Sequence, residues 1–148
     1  MTESNEHRIK LLVVDDEERF LATLAQRLGL RDFDVTAVSS GEAAIERAGR
    51  ERFDLALVDL KMPGMSGDRV LSALKAQHPY LEVVMLTGHG SAGSAVECTK
   101  AGSHAYLQKP CETEVLLEAL KEAYQQRVQN LLALDRAQVE QLARIAMG

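Results

Sequence analysis

The feature that most constrains this chain is a short apolar run that ends in an acid. Residues 55–58 read Leu-Ala-Leu-Val, Asp59 follows them, and Pro63-Gly64 comes soon after. Such a run is typical of a strand buried on both faces of a parallel sheet, and Pro-Gly ends the strand in a turn. Asp59 is therefore predicted at the carboxyl end of a central strand, where open α/β sheets bind ligands. An isolated Asp there is more often a loop or helix cap, so the other motifs must decide.

The whole chain repeats the same alternation of apolar run and amphipathic stretch. Strands are predicted at residues 9–14, 33–38, 55–58, 81–86 and 104–107. Apolar residues at helical spacing lie between and after them, at 20–30, 40–49, 66–78, 91–100 and from 112 onwards. Five β-α units in succession predict a doubly wound α/β fold, with a five-stranded parallel sheet and helices on both faces.

The last residues form a helical extension of their own. We predict a main domain at residues 8–125 and a helical tail or linker at 126–148. Asp135 followed by Gln138 resembles an N-cap pair, which favours two short helices over one. An apolar stripe runs along the tail at Val128, Leu132, Val139, Leu142 and Ala146. An amphipathic helix needs a packing partner, so we predict a homodimer through residues 125–147, with a tail that is folded back on its own domain or frayed as the alternative.

Length, charge and cysteine usage exclude several classes of protein. The 148 residues suit one domain, and the net charge of −5 without a basic block argues against direct nucleic-acid binding. No apolar run is long enough to span a membrane, and the start lacks the order of a signal peptide. Cys98 and Cys111 form no metal or redox motif and are predicted to be free thiols. A cytoplasmic protein without membrane contact is expected.

A second group of acids follows the first predicted strand. Asp15 and Asp16 begin an acidic run that ends at Glu18. Acids at this position also suit the start of a helix, where the macrodipole favours them. However, the first and third strands should be neighbours, which brings Asp15, Asp16 and Asp59 to one edge of the sheet. Three close carboxylates repel one another unless a cation lies among them, and oxygen ligands with room for water favour Mg²⁺.

Two further residues end the fourth and fifth strands on the same edge. Thr87 and Lys109 would be an ordinary strand-end hydroxyl and a surface lysine if either stood alone. Together they place a hydroxyl and an ammonium opposite a metal-loaded carboxylate, which suits a tetrahedral anion. Phosphoryl transfer needs this kind of positioning and charge neutralisation. Asp59 is then the predicted nucleophile, and it would carry an acyl phosphate.

These motifs resemble, in order and spacing, the receiver domain of response regulators in two-component signalling. The similarity covers about residues 8–125 and includes features of the receivers attached to transcription activators of the nitrogen-regulatory type. The matching stretches are Val13-Val14-Asp15-Asp16-Glu17, the run from Leu57 to Gly67, Met85-Leu86-Thr87-Gly88 and Tyr106-Leu107-Gln108-Lys109-Pro110.

The resemblance implies a flavodoxin-like sheet of order 2-1-3-4-5 and a phosphoacceptor role. Asp59 would take phosphate from the phosphohistidine of a sensor histidine kinase or a phosphotransfer protein. Asp16, Asp59 and the backbone carbonyl of Lys61 would bind Mg²⁺ directly, and Asp15 would act through water. The chain would be no enzyme in the ordinary sense, because it promotes only its own phosphorylation and dephosphorylation.

The resemblance also assigns the switch. Thr87 and Lys109 would hold phosphoryl oxygens, and Tyr106 would swing inward as Thr87 moves toward the phosphate. The surface around the fourth and fifth strands would change and control a partner or output domain. The Lys109-Pro110 peptide bond is expected to be cis, because Lys109 must face the pocket while the chain turns into the last helix.

Three other functions compete with the phosphoacceptor switch. A small phosphatase that uses an aspartyl phosphate usually has Asp-x-Asp after its first strand and a cap insertion, but here the acids are adjacent and no cap is evident. A pure interaction scaffold is favoured when Asp16, Asp59 or Lys109 is missing, and all three are present. A flavin-binding domain needs a phosphate loop rich in Ser, Thr and Gly, and an acidic run would repel that phosphate. The switch is the leading hypothesis.

Overall fold

Five strands alternate with five helices in the computed structural model, which describes residues 8–147. The strands are β1 (Ile9–Val14), β2 (Phe33–Val38), β3 (Leu55–Val58), β4 (Glu82–Thr87) and β5 (Ala105–Gln108). The helices are α1 (Glu18–Gly29), α2 (Gly41–Arg50), α3 (Gly67–Gln77), α4 (Ala92–Lys100) and α5 (Thr113–Met147). All pairings in the sheet are parallel and the order is β2-β1-β3-β4-β5, which confirms the predicted topology.

Alternation of side chains along the strands divides the core into two layers. Leu12, Val14, Ala56 and Val58 pack with apolar residues of α2 and α3 on one face. The intervening residues of β1 and β3 pack with α1 and the first half of α5 on the other face. All residues of β3 and β4 are buried, as expected for central strands covered by helices on both sides.

The loop after β3 is pressed against the end of its own strand. The Asp59 amide donates to the Val14 carbonyl at 2.9 Å, which extends the pairing of β1 with β3 by one residue. The Gly67 amide donates to the Leu60 carbonyl at 2.6 Å. A Cβ atom at Gly67 would overlap the Asp59 carbonyl oxygen and lie 2.7 Å from the Leu60 Cα. Only glycine lets the start of α3 approach the backbone of Asp59 so closely.

We expect Gly67→Ala to lower the free energy of unfolding by about 3 kcal/mol, the upper end for overpacking, because the clash is with backbone that cannot rotate away. Gly49→Ala is the matched control, since nothing lies within 4 Å of its added Cβ and the position is helical. The control should gain about 0.5–1 kcal/mol from helix propensity. Urea unfolding measures both, and equal effects of the two substitutions would contradict the close packing at Gly67.

Helix α5 is continuous from Thr113 to Met147, so the prediction of two short tail helices is wrong. Asp135 lies inside the helix and does not start a new one. The stretch contains neither Gly nor Pro and is rich in Ala, Leu, Gln, Glu and Arg, so the helix meets no residue that would end it. A single N-cap signal does not interrupt such a sequence.

The tail remains in contact with the main domain as far as Arg127. The Arg127 Nε lies 3.3 Å from the Asp54 carboxylate, and its Nη1 donates to the Tyr80 carbonyl at 2.7 Å. From residue 131 to 147 every side chain is exposed, so this part does not fold back on the domain. Among residues 8–147, no helix combines the length and the apolar character needed to cross a membrane.

Candidate functional site

Four of the predicted site residues meet at the carboxyl edge of the sheet. Asp15 follows β1, Asp59 follows β3, Thr87 is the last residue of β4, and Lys109 comes directly after β5. Asp15 and Asp59 are each only 3% exposed, and Thr87 is completely buried. The parallel register of four adjacent strands therefore brings one edge-facing polar residue from each strand into a common pocket.

Lys109 bridges the opposite sides of this pocket. Its Nζ donates to Asp15 Oδ2 at 2.7 Å and to Glu17 Oε1 at 3.0 Å, and it lies 4.1 Å from the centre of the Phe20 ring. Burial alone would lower the pKa of Lys109, but hydrogen bonds and charge from the surrounding carboxylates outweigh burial and raise it. The side chain is therefore a permanent cation at neutral pH. The Lys109-Pro110 bond is cis, as predicted.

The carboxylates of Asp15, Glu17 and Asp59 offer oxygen atoms that all lie within 4.8 Å of one another. This group differs in one member from the predicted set, since Glu17 is present and Asp16 is not. Asp15 Oδ1 accepts the Glu17 amide at 2.9 Å, and the backbone of Glu17 is extended. The chain bends at Asp16, and a carboxylate that accepts the amide two residues on forms an Asx turn, which brings Glu17 beside Asp15. An Asp two residues before Glu17 is the signal by which Glu17 could have been identified.

Asp59 carries a charge that its surroundings only partly neutralise. Its Oδ1 is buried and has no hydrogen-bond partner among the described residues. Burial and the neighbouring Asp15 raise the pKa of Asp59, although Thr87, Lys109 and the Leu60 amide act in the opposite direction. A buried carboxylate with a bare oxygen, next to two other acids, has the donor set of a hard divalent cation. The residues present therefore fit a Mg²⁺ ion.

Lys61 and Tyr106 are two further residues of the predicted site. The Lys61 side chain is exposed in the loop after β3. Tyr106 is half-buried against the α2–α3 side of the core, and its hydroxyl is 2.6 Å from Ser94 Oγ on α4. A Cβ on Gly90 would come within 3.0 Å of the Tyr106 ring. The Thr87 hydroxyl, one strand away, accepts the His89 amide at 3.1 Å.

The fold and this pocket define a class of protein. Residues 11–121 match the family model of the response regulator receiver domain, and the chain belongs to that family. The likeness extends to solved structures. A CheY-like receiver from Methanospirillum hungatei superposes with a TM-score of 0.80 at 29% identity, over 83% of this chain and 98% of that one. The receiver of a LuxO repressor from Vibrio parahaemolyticus superposes with a TM-score of 0.79 at 27% identity, over 85% of this chain and 97% of that one.

Curated relatives are longer regulators that contain such a domain. The response regulator FleR of Pseudomonas aeruginosa is 37% identical over 74% of this chain and 23% of that protein. The regulatory protein LuxO of Vibrio cholerae is 39% identical over 70% of this chain and 23% of its own length. The transcriptional regulatory protein GlrR of Escherichia coli is 34% identical over 78% of this chain and 26% of that protein. The chain thus spans about a quarter of these relatives.

The raised pKa of Asp59 implies that the free energy of unfolding depends on pH. Folding favours the protonated form, so ionisation costs stability as the pH rises from about 4 through the raised folded-state pKa, and the loss persists at neutral pH. We expect Asp59→Asn to raise the free energy of unfolding of the metal-free chain by about 1–3 kcal/mol at pH 7, and by less as the pH approaches 4. Glu140→Gln, on the exposed tail and off its apolar stripe, is the control and should change little. Urea unfolding across this pH range would contradict the electrostatic account if Asp59→Asn destabilised the chain at pH 7.

Proposed function

We propose that this chain is a phosphoacceptor switch, in which Asp59 receives a phosphoryl group from the phosphohistidine of a sensor histidine kinase or a phosphotransfer protein. The observation that carries the proposal is the buried Asp59 oxygen without a hydrogen-bond partner, beside a second acid and within reach of the Lys109 charge. A purely structural acid at a strand end would have its oxygens paired, because unpaired buried polar groups are costly.

The proposed metal ligands are Asp16, Asp59 and the backbone carbonyl of Lys61, with Asp15 acting through water. When bound, Mg²⁺ supplies positive charge that allows the acids to approach a phosphoryl group. The crowding of carboxylates and the bare oxygen of Asp59 support this assignment. The half-buried Asp16 would have to turn toward Asp59, since it lies outside the group of close carboxylates.

The reaction forms one bond and breaks one. An Asp59 oxygen attacks phosphorus, an O–P bond forms, the P–N bond to the donor histidine breaks, and its electron pair stays on the imidazole nitrogen, which takes up a proton. Lys109 and Thr87 hold phosphoryl oxygens as charge develops. A phosphatase that releases phosphate from other substrates is less well supported. Only eight residues, 59–66, separate β3 from α3, and no cap segment is present within residues 8–147.

The switch is proposed to run from Thr87 to Tyr106. As the Thr87 hydroxyl turns toward the phosphate, it vacates space beside β5. Tyr106 then moves inward and gives up its bond to Ser94, which is 2.6 Å long in this structure. Loss of that bond would free α4 relative to β5 and alter the surface that meets an output partner or domain.

Incubation with Mg²⁺ and acetyl phosphate should add one phosphoryl group to the chain, and beryllofluoride should bind at the same site. Asp59→Asn should abolish both, because the amide is not a nucleophile. Asp135→Asn is the control, since it removes an exposed acid in the tail. Intact-mass measurement reports the covalent adduct. An Asp59→Asn chain labelled to the wild-type level would rule out Asp59 as the acceptor.

The tail is proposed to pair with the tail of a second chain. Val128, Leu132, Val139 and Leu142 are between 37% and 66% exposed and lie on one stripe of α5 at heptad-like spacing. A contiguous apolar face of this kind usually marks an interaction surface. Asp135, on the same stripe, is its one charged residue. We accordingly treat residues 8–125 as the receiver and 126–148 as a dimerising tail.

Replacing Leu132 and Leu142 by Gln should convert the dimer to a monomer, because it removes the apolar face without shortening the helix. Gln129→Glu with Gln141→Glu is the control, since both residues lie off the stripe. Sedimentation at tens of micromolar measures the state, with a chain stopped after Gln126 as a second monomeric reference. If the wild-type chain itself sediments as a monomer, the dimer proposal fails while the phosphoacceptor proposal stands.

A further inference from the structure

Lys109 is shared between two carboxylates that differ sharply in exposure. Asp15 Oδ2 accepts from its Nζ at 2.7 Å and Glu17 Oε1 at 3.0 Å. The side chain of Asp15 is 4% exposed and that of Lys109 is 12% exposed, whereas that of Glu17 is 61% exposed. An ammonium has three N–H donors, so these two acids occupy most of its hydrogen-bonding capacity before any phosphoryl group arrives.

A phosphoryl group on Asp59 would change the balance between these two acids. An oxygen of Glu17 lies within 4.8 Å of an oxygen of Asp59, and a phosphoryl group brings a charge of about −1.5 to −2 to that place. Glu17 would then face a like charge at close range. Because its side chain is mostly exposed, Glu17 can rotate toward solvent with little loss of free energy. Asp15 is buried and cannot rotate toward solvent in the same way.

We propose that Glu17 is a positioning residue that holds Lys109 in the unphosphorylated chain and releases it when Asp59 carries a phosphoryl group. This latch deepens the proposed function and rests on it. Glu17 touches the ammonium and not the phosphorus, and it acts by competing with phosphoryl oxygens for the same donor. The Phe20 ring, 4.1 Å from Nζ, stays beside Lys109 and keeps the side chain at the pocket when Glu17 leaves.

Glu17 as a metal ligand is the competing role, since its oxygen belongs to the close group of three carboxylates. The contacts favour the latch. The carboxylate of Glu17 is already engaged by Lys109 at 3.0 Å, whereas the bare oxygen in the pocket belongs to Asp59. Losing a ligand weakens Mg²⁺ binding by itself, but losing a latch leaves it nearly unchanged, so the two roles separate experimentally.

Three variants of the full chain test the latch. Glu17→Gln keeps the length of the side chain and removes its charge, and Glu17→Asp keeps the charge and shortens the reach by one methylene. Glu18→Gln removes the same charge from the adjacent exposed residue, which begins α1. The hydrogen bonds and ion pairs of Lys109 go to Asp15 and Glu17, not to Glu18. Calorimetry gives the affinity for beryllofluoride at saturating Mg²⁺ and, separately, the affinity for Mg²⁺ alone.

The latch predicts that Glu17→Gln binds beryllofluoride about two- to five-fold more tightly than wild type, the range of a partly exposed ion pair. Glu17→Asp should tighten binding in the same direction by a smaller factor, and Glu18→Gln should leave it unchanged. Affinity for Mg²⁺ alone should stay within about two-fold of wild type for both Glu17 variants. Asp16→Asn, which replaces a proposed metal ligand, should lose much more affinity for Mg²⁺.

Unchanged or weaker beryllofluoride binding by Glu17→Gln would overturn the latch. Equal tightening by Glu18→Gln would also overturn it, because the effect would then be one of overall charge. A loss of Mg²⁺ affinity in Glu17→Gln as large as that in Asp16→Asn would make Glu17 a metal ligand instead. If the wild-type chain binds no beryllofluoride, the proposed function fails first and the latch fails with it, so the two failures are distinguishable.

Discussion

The structure depends on one unfavourable arrangement, which is a buried carboxylate that its surroundings do not fully neutralise. Asp59 lies at the end of the central strand, beside Asp15, with one oxygen unpaired among the described residues. Desolvation and a like charge both oppose its ionisation. Any group that brings positive charge to the site, or removes negative charge from it, stabilises the site. Asp59 is therefore responsive to metal and to covalent modification.

The fold tolerates the unfavourable burial of the Asp59 carboxylate because the rest of the sheet is strongly stabilised. Strands β3 and β4 are buried throughout, and two separate apolar layers cover the faces of the sheet. The acids of the pocket, Asp15, Glu17 and Asp59, lie at the carboxyl edge of the sheet. Close approach of Gly67 to the backbone of Asp59 leaves that loop little freedom. The buried sheet holds Asp15 and Asp59 in place, whereas the exposed side chain of Glu17 is free to change its orientation.

Much of this arrangement could be predicted from the sequence, because it follows from where strands end. Apolar runs define the strands, parallel pairing brings their carboxyl ends to one edge, and Asp15, Asp59, Thr87 and Lys109 stand at those ends. The strand bounds were less accurate. Strands β4 and β5 each lie one residue later than predicted, since neighbouring residues have similar propensities and pairing with the adjacent strand decides the last one.

Two features depended on geometry that a linear pattern does not contain. Glu17 joins the pocket because the chain bends at Asp16 and the Asp15 carboxylate accepts the Glu17 amide, while the acidic run by itself favoured the adjacent Asp16. The tail forms one helix because residues 113–147 contain no Gly or Pro, and this outweighs the local cap signal at Asp135. In the tail, a short-range motif competed with the helix propensity of a longer segment, and the longer segment determined the structure.

The central claim is that the chemistry takes place on Asp59, and chemical trapping of the acyl phosphate tests it most directly. Borohydride reduces an aspartyl phosphate to homoserine, and peptide mass mapping then identifies the modified position. The account predicts homoserine at position 59 alone, and only after incubation with both a phosphodonor and Mg²⁺. Homoserine at Asp15 or Asp16, or a phosphoryl group retained on another residue with position 59 unmodified, would contradict it.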